Sequence, residues 1–303
     1  AGSGHIGSSF SSIEIMTYIN LKKVFSDDES IFFSSKGHDA PALYSVLTAL
    51  NKLDFNLINK LRRIDGLPGH PDINTPFITA NTGSLGMGIS KAKGIIFANR
   101  LDNITKQVYV LLGDGELQEG QIWESLVSAV NFNMKELIII VDHNKLQSDT
   151  LVKNVSDLGD LENKFSSFGL DVYRCDGNNV DELSETMNKI DNSKSNKPSV
   201  IIADTIKGRG VSFMEHTSID SDVELYKFHS GAPSADNYFS GVDELITNLN
   251  IATKKINYNE IKFSTKVIES KDSELTDERL IDSYSSTLLS LSEKNKNIVC
   301  LDA

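Results

Sequence analysis

An aspartate between two glycines and a distant asparagine are the first residues whose types and spacing could do chemistry. Asp114 lies in Gly113-Asp114-Gly115, and Asn144 follows after the intervening residues 116 to 143. One carboxylate and one amide oxygen suit a hard cation such as Mg²⁺, which often takes further oxygens from a phosphate. The glycines let a ligand approach the backbone, and they expose amide N–H groups at a helix start. Gly-Asp-Gly alone is also a plain turn in many α/β proteins, so the three residues by themselves leave both interpretations open.

Histidines in glycine-flanked loops form a second candidate group. His5 lies in GSGHIG, His38 in KGHD and His70 in PGHP. An imidazole titrates near neutrality, so it can take up or return a proton, or hydrogen-bond a hydroxyl as a neutral donor and acceptor. Without such a context a histidine is usually a surface residue or a satisfied core residue. His216 is interpreted as a surface residue. For His229 in KFHSG the sequence leaves open whether the residue is functional or an ordinary surface or core histidine.

A scaffold must bring these distant loops together, and the apolar pattern predicts one. Strands are predicted for SIFF, QVYVLL, ELIIIV, LDVYRC and PSVIIADTI. Helical patterns separate most of these apolar runs, so the expected fold class is α/β, a doubly wound and mainly parallel sheet with helices on both faces. Loops at the carboxyl ends of parallel strands form the ligand crevice in such folds. Asp114 and Asn144 both follow strand ends and belong to that edge.

Local signals refine the helices around the candidate loops. Residues 11–14, Ser-Ser-Ile-Glu, match a capping box and predict that a helix begins there. The stretch 67–88 is rich in Gly, Pro, Asn and Thr and is predicted to be loop, followed by a helix over 89–101.

Composition restricts the partners. The 303 residues are 39% hydrophobic and 24% charged, with a net charge of −12 and no long basic block. This balance disfavours a nucleic acid or an anionic membrane surface as partner. The two cysteines, Cys175 and Cys300, give no disulfide framework, which favours a reducing, cytoplasmic location. No apolar run approaches the roughly 18 residues that predict a membrane span.

The chain is expected to contain one domain and the start of another. Residues 1–240 form the predicted cofactor domain, 241–275 a polar linker, and 276–303 the beginning of a second α/β domain. A helix is expected after Thr276 as N-cap, and NIVCLDA is expected to begin a strand. The sequence opens in a glycine-rich stretch without methionine and stops within that strand, so both ends are expected to be cut and a targeting peptide could be missing.

The complete stretch from Gly113 to Asn144 resembles the thiamine diphosphate fingerprint of thiamine-dependent enzymes. The resemblance implies that Mg²⁺, or another divalent cation such as Ca²⁺ or Mn²⁺, is bound by the side chains of Asp114 and Asn144 and by the main-chain carbonyl of Leu146. His143 stands where the family often has a second asparagine, and no role is assigned to it.

Further segments are similar to transketolase in the order of its amino-terminal half. They are SGHIGSSFSSIEI (3–15), SKGHDAPALYSVL (35–47), LPGHPDINTPFITANTGSLGMGIS (67–90), GDGELQEGQIWES, ADTIKGRGVSFME and KFHSGAPS. The last two are most like the transketolases split into two polypeptides. The resemblance covers about residues 1 to 240 and implies transfer of a two-carbon ketol unit from a ketose donor to an aldose acceptor, with sugars or sugar phosphates as substrates.

The resemblance also implies a set of site residues. Its catalytic histidines would be His5, His38, His70 and His229. Its thiamine diphosphate contacts would be His38, Gly83, Ser84, Leu85, Gly113, Asp114, Gly115, Glu116, Glu119, Asn144 and Lys207. The backbone of residues 82–88 would lie along the aminopyrimidine ring. Glu119 would link two active sites across a dimer, although a first-turn glutamate also suits a helix dipole, and Lys207 could equally be part of a solvated basic loop.

In this family a glutamate from a second, pyrimidine-binding domain activates the cofactor held by another subunit. That glutamate is expected outside the present chain, so the implied partner is a second copy in a homodimer or a separate pyrimidine-domain chain. Other thiamine enzymes stay possible, namely deoxyxylulose-phosphate synthase, dihydroxyacetone synthase or a specialised sugar-modifying relative. A thiamine-binding subunit without catalysis is the non-enzymatic alternative. The GHP and GSLG segments favour the transketolase group over the pyruvate dehydrogenase type.

Overall fold

A five-stranded sheet positions the candidate loops. In the computed structural model, which describes residues 4–26, 29–215, 225–262 and 280–298, its strand order is β1-β2-β3-β7-β6 and every pairing is parallel. The strands are β1 (Ile31–Ser34), β2 (Val108–Gly113), β3 (Leu137–His143), β6 (Asp171–Asp176) and β7 (Ser199–Asp204); a small antiparallel hairpin joins β4 (Leu146–Gln147) to β5 (Thr150–Leu151). The five predicted strands and the α/β fold class are confirmed.

Helices cover both faces of this sheet. Their bounds are α1 (Ile6–Ile19, continued by a π-helical turn over Asn20–Val24), α2 (Ala40–Ala49), α3 (Gly88–Leu101), α4 (Gly120–Asn131), α5 (Val152–Ser156), α6 (Leu161–Ser167), α7 (Val180–Asp191) and α8 (Ala235–Lys255). Short 3₁₀ turns occupy Phe55–Lys60 and Gly115–Gln118. The loop predicted over 67–88 and the helix predicted after it are confirmed.

Alternate residues of each strand enter one of two hydrophobic cores. In β3, Ile138 and Ile140 pack with residues of α1, α2 and α7, while Ile139 and Val141 pack with residues of α3, α4 and α6. All four side chains are fully buried. Burial on both faces explains why the strand reads as a continuous apolar run, and it leaves the strand ends as the places for polar side chains.

The start of α1 differs from the capping-box prediction. The helix begins at Ile6, so Ser11 and Ser12 lie inside it. Ser12 Oγ donates to the Ser8 carbonyl, and Ser11 Oγ donates to the buried carboxylate of Asp142, instead of accepting from helix N–H groups. The predicted start was wrong because these hydroxyls donate to other groups instead of capping the helix. One of these acceptors, Asp142, is 131 residues from Ser11 along the chain.

The linker predicted over residues 241–275 is wrong in its first part. Helix α8 continues to Lys255, and the first of two compact units extends from Ala1 to Tyr258. Only Gly241 and Thr253 of α8 are buried, so the polar composition of this helix gave no strong periodic signal. The second unit spans Asn259–Ala303 and contains α9 (Leu280–Lys294). Thr276 and most of NIVCLDA lie outside the described residues, so the domain division stays a prediction.

No helix in the described part of the chain is both long and apolar enough to cross a membrane.

Candidate active site

A cavity of about 430 Å³ opens at the carboxyl-terminal edge of the sheet. Nearly all of the predicted site residues line it: His5, His38, His70, Gly83, Leu85, Gly113, Asp114, Gly115, Glu116, Glu119, Asn144, Leu146, Lys207 and His229. Ser84 is exposed and does not line it. A larger cavity of about 570 Å³ lies at the opposite edge, among several lysines and without a histidine. The chemistry-bearing groups converge at the edge where parallel sheets bind ligands.

Asp114 lies at the end of β2 with its carboxylate buried. Its Oδ1 accepts a hydrogen bond of 2.8 Å from the Gly115 N–H, and its Oδ2 accepts one from the Lys145 N–H. Burial, with the charge of Asp142 adding to it, raises the pKa of the Asp114 carboxyl to about 6. Among the residues described, no cationic side chain forms an ion pair with it. A buried carboxylate with no ion-pair partner among the described residues is a suitable ligand for a metal ion.

Asn144 follows β3 and faces the same cavity. Its Oδ1 accepts from the Leu146 N–H at 3.0 Å, and its Nδ2 donates to Asp142 at 3.3 Å. Within the described ranges there is no group of three or more His, Cys, Asp or Glu side chains able to hold a metal. A cation here would therefore combine the oxygens of Asp114 and Asn144 with a main-chain carbonyl and with phosphate oxygens. That donor set is the one Mg²⁺ prefers, so the residues present fit a Mg²⁺–diphosphate group.

Three imidazoles lie close together in the same cavity. The ring centroids of His5 and His38 are 5.0 Å apart, those of His5 and His229 are 4.9 Å apart, and those of His38 and His229 are 6.4 Å apart. His229, which the sequence left open, thus belongs to the histidine cluster. Burial lowers the pKa of His5 and of His229 to about 4, and it lowers that of His38 well below the usual value. The three rings are therefore neutral at pH 7 and can each accept or donate a hydrogen bond.

We expect NMR titration of the folded protein to give midpoints near pH 4 for His5 and His229, because burial disfavours their charged forms. In the unfolded chain the same imidazoles should titrate near 6.5. Their folded pKa values are depressed, so their contribution to stability is complete above about pH 6.5 and is lost as the pH falls towards 4. The urea-unfolded protein is the reference for the titration; midpoints near 6.5 in the folded protein would contradict this description of the cluster.

His70 approaches from the loop before α3. The Gly37 backbone has a φ of +65°, and a Cβ there would lie 2.8 Å from Thr82 Oγ1 and 3.0 Å from His70 Cδ2. Only glycine allows this turn to pass so closely. Burial and the Arg62 guanidinium lower the pKa of His70, so it too is neutral at pH 7.

Glu116 joins the glycine loops from behind the cavity. Its Oε1 accepts from the Gly86 N–H at 2.8 Å and from Ser35 Oγ, and its Oε2 accepts from the Gly113 N–H at 3.1 Å. Both carboxylate oxygens are thus occupied by protein donors, and Glu116 fixes the loop 82–88 against the end of β2. Glu119 is exposed and lies against Gly86, where a Cβ would come within 2.7 Å of the Glu119 Cβ.

Lys207 is a buried ammonium beside the histidines. Its Nζ donates to the Ser148 carbonyl at 2.8 Å and lies 3.2 Å from His229 Nδ1. Burial lowers the pKa of Lys207 to about 8. It therefore remains largely charged at pH 7 and places a positive charge in the cavity, which favours an anionic group there.

Sequence reasoning missed part of the lining. Ser8, Lys36, Gln118, Gln147 and Ser148 also face the cavity. Two of them carried a usable signal: Lys36 precedes Gly-His at the end of β1, and Gln147 comes three residues after Asn144. The other positions depend on loop conformations that no local pattern specifies.

The amino-acid sequence matches the family described as “Transketolase, thiamine diphosphate binding domain” over residues 1–224. It is 32% identical over 265 residues to one of the subunits of the apulose-4-phosphate transketolase of Phocaeicola vulgatus, covering 85% of this chain and 91% of the relative. It is 37% identical over 233 residues to the 6-deoxy-6-sulfo-D-fructose transketolase subunit SqwG of Clostridium sp., covering 74% of this chain and 84% of the relative.

Solved structures share the fold. The transketolase of Campylobacter jejuni superposes with a TM-score of 0.66 at 25% identity, covering 86% of this chain and 40% of that chain. The Leishmania mexicana transketolase gives a TM-score of 0.63 at 20% identity, covering 84% of this chain and 45% of that chain. At this identity the similarity supports the fold alone. The present chain thus spans less than half the length of each of these two transketolase chains.

Proposed function

This chain belongs to the transketolase family, whose thiamine diphosphate-binding domain it contains, and we propose that it takes part in moving a two-carbon ketol unit from a ketose donor to an aldose acceptor. One observation carries the proposal: a single cavity combines the buried carboxylate of Asp114, which has no ion-pair partner within the described part of the chain, with a cluster of neutral imidazoles. The first feature suits a metal–diphosphate group and the second suits proton transfer to and from sugar hydroxyls.

The proposed metal site uses the side chains of Asp114 and Asn144 and the main-chain carbonyl of Leu146, with Mg²⁺ as the physiological cation and Ca²⁺ or Mn²⁺ as substitutes. Lys207 would meet the diphosphate, Gly113 and Gly115 would leave room for it beside the end of β2, and the backbone around Gly83 and Leu85 would lie along the pyrimidine ring. Support comes from the all-oxygen donor set and from the positive charge of Lys207 in the same cavity.

Bound thiamine diphosphate supplies the nucleophilic carbon and accepts the electron pair released from the donor. The residues of this chain would move the protons. When the donor carbon–carbon bond breaks, a neutral imidazole takes the proton of the hydroxyl that becomes the aldehyde. When the two-carbon unit is added to the acceptor aldehyde, the imidazolium returns a proton to the acceptor oxygen. His5 suits this exchange, since its Nδ1 is buried and has no hydrogen-bond partner among the described residues.

A pyrimidine-domain chain is the proposed partner, and the names of the two relatives, each called a transketolase subunit, support it. A homodimer is the alternative if the same polypeptide continues into that domain. We also propose a cytoplasmic location, supported by the two cysteines without a disulfide framework.

The relatives' names indicate which donors to test first. One relative is named for a 4-phosphate sugar and another for a sulfonated ketose. A turnover screen of the full-length enzyme with its partner chain, thiamine diphosphate and Mg²⁺ should therefore include phosphorylated, sulfonated and neutral ketoses with several aldehyde acceptors. Transfer of the two-carbon unit is the expected result. Carbon dioxide release from pyruvate would instead indicate the synthase-like alternative, and cofactor binding without any turnover would indicate a non-catalytic subunit.

A further inference from the structure

Lys36 is a fully buried ammonium that the proposed reaction does not itself require. Only 2% of its surface is exposed, yet its Nζ lies 2.5 Å from Asp142 Oδ2 and 3.3 Å from Asp39 Oδ2. Lys36 and Asp39 belong to the turn after β1, and Asp142 belongs to the end of β3. Because β2 lies between these two strands, the Lys36–Asp142 ion pair reaches across the edge of the sheet at the cavity.

Asp142 is saturated with donors, so it is not available as a metal ligand. Its Oδ2 accepts from Lys36, from Ser11 Oγ at 2.6 Å and from Asn144 Nδ2 at 3.3 Å, and its Oδ1 accepts from Thr205 Oγ1. The bond from Asn144 matters most for the site. Because the amide nitrogen donates to this carboxylate, the amide oxygen is turned away from Asp142; it accepts from the Leu146 N–H and keeps a second lone pair for a cation.

The second ion pair of Lys36, with Asp39, supports the turn that carries His38. The Asp39 carboxylate accepts a hydrogen bond of 2.8 Å from Ser34 Oγ. It also forms the ion pair with Lys36. The Lys36 carbonyl accepts from the His38 N–H at 2.7 Å. One side chain thereby connects the turn that carries His38 to the strand end that carries Asn144.

We propose that Lys36 is a positioning residue of this enzyme, which through Asp142 fixes the Asn144 amide for the divalent cation and through Asp39 fixes the turn of His38. The inference rests on the proposed function, since it assigns Lys36 to the same metal site. An apolar side chain of equal length would fill the space but would leave two buried carboxylates without their cation. The Asp142 carboxylate would then be free to rotate, and the Asn144 amide would lose the hydrogen bond that orients it.

The test compares Lys36→Met with Lys23→Met. Lys23 is a matched control, since it is also buried, at 8% exposed, and pairs with Asp191 at 2.7 Å near the opposite edge of the sheet. In the full-length enzyme with its partner chain, Mn²⁺ affinity is measured by electron paramagnetic resonance and thiamine diphosphate affinity by calorimetry, with urea unfolding alongside. Both variants should lose stability, whereas only Lys36→Met should weaken Mn²⁺ binding, by about 10–100-fold.

Two further variants separate the two sides of Lys36. Asp142→Asn keeps the shape and leaves Lys36 paired with Asp39; it should lower Mn²⁺ affinity about tenfold, and it decides the question if Lys36→Met does not fold. Asp39→Asn should leave Mn²⁺ affinity within about twofold and instead change donor kcat, because it loosens only the turn of His38.

Unchanged Mn²⁺ affinity in both Lys36→Met and Asp142→Asn would overturn the inference and leave the proposed function standing. An equal loss of affinity in Lys23→Met would overturn it as well, since the effect would then follow general destabilisation. Failure of the wild-type enzyme to bind either Mn²⁺ or thiamine diphosphate would contradict the proposed function itself, and the inference with it.

Discussion

Replacement of Asp114 by asparagine should reduce Mg²⁺-dependent binding of thiamine diphosphate by more than about 100-fold. The reason is that Asp114 is the proposed charged ligand, and loss of a residue that only supports a ligand already costs 10–100-fold in metal affinity. The change is isosteric, and the new amide oxygen can still accept one of the two backbone hydrogen bonds, from Gly115 or Lys145. The measurement is calorimetric titration of the full-length enzyme with the cofactor, with and without Mg²⁺.

The same substitution should not destabilise the metal-free protein at pH 7. The folded-state pKa of Asp114, about 6, lies above the ordinary 3.8, so ionised Asp114 costs stability as the pH rises through that interval. Removing the charge relieves this cost. Asp176→Asn is the control, because Asp176 ends β6 at the same edge of the sheet but is exposed and outside the cavity. Unchanged cofactor affinity in Asp114→Asn would refute the metal assignment.

The positions of Asp114 and Asn144 could be predicted because the geometry of a buried parallel sheet restricts where residues that follow its strands can lie. Each follows an apolar run that must be buried on both faces, and the carboxyl ends of parallel strands share one edge. The observed register, Gly113 opposite Asp142, places the two residues after neighbouring strands as expected. The strands and the fold class followed from the same apolar runs, whereas the roles of the histidines depended on family resemblance.

Other features depend on contacts between distant parts of the chain. The bond from Lys36 to Asp142 spans 106 residues and exists only once β1, β2 and β3 are in register. A glutamate following Gly-Asp-Gly gives no local sign that its carboxylate will turn inward, as Glu116 does. Likewise, no local pattern indicates that the Ser11 hydroxyl lies within α1 and donates to Asp142 instead of capping the helix. Local patterns specify periodicity and turns, but they do not specify which buried polar groups pair.

His70→Ala should leave cofactor binding intact and lower donor turnover by roughly two to four orders of magnitude. The imidazole of His70 lines the cavity between the turn at Gly37 and the loop at Gly83, whereas the proposed metal ligands lie at the ends of β2 and β3. Its removal therefore takes away a neutral hydrogen-bonding and proton-transfer group without touching Asp114 or Asn144. Steady-state kinetics with a ketose donor, beside calorimetry of thiamine diphosphate binding, measures both consequences.

His143→Ala provides the matched control for that loss. The His143 imidazole lies at the same edge of the sheet, but it contacts Asp204 at 2.8 Å and does not line the cavity. Equal losses of turnover in the two variants would indicate a general disturbance of this edge, and wild-type rates in His70→Ala would remove His70 from the catalytic set. A large loss confined to His70→Ala, with cofactor affinity unchanged, would separate donor chemistry from cofactor binding and assign His70 to the former.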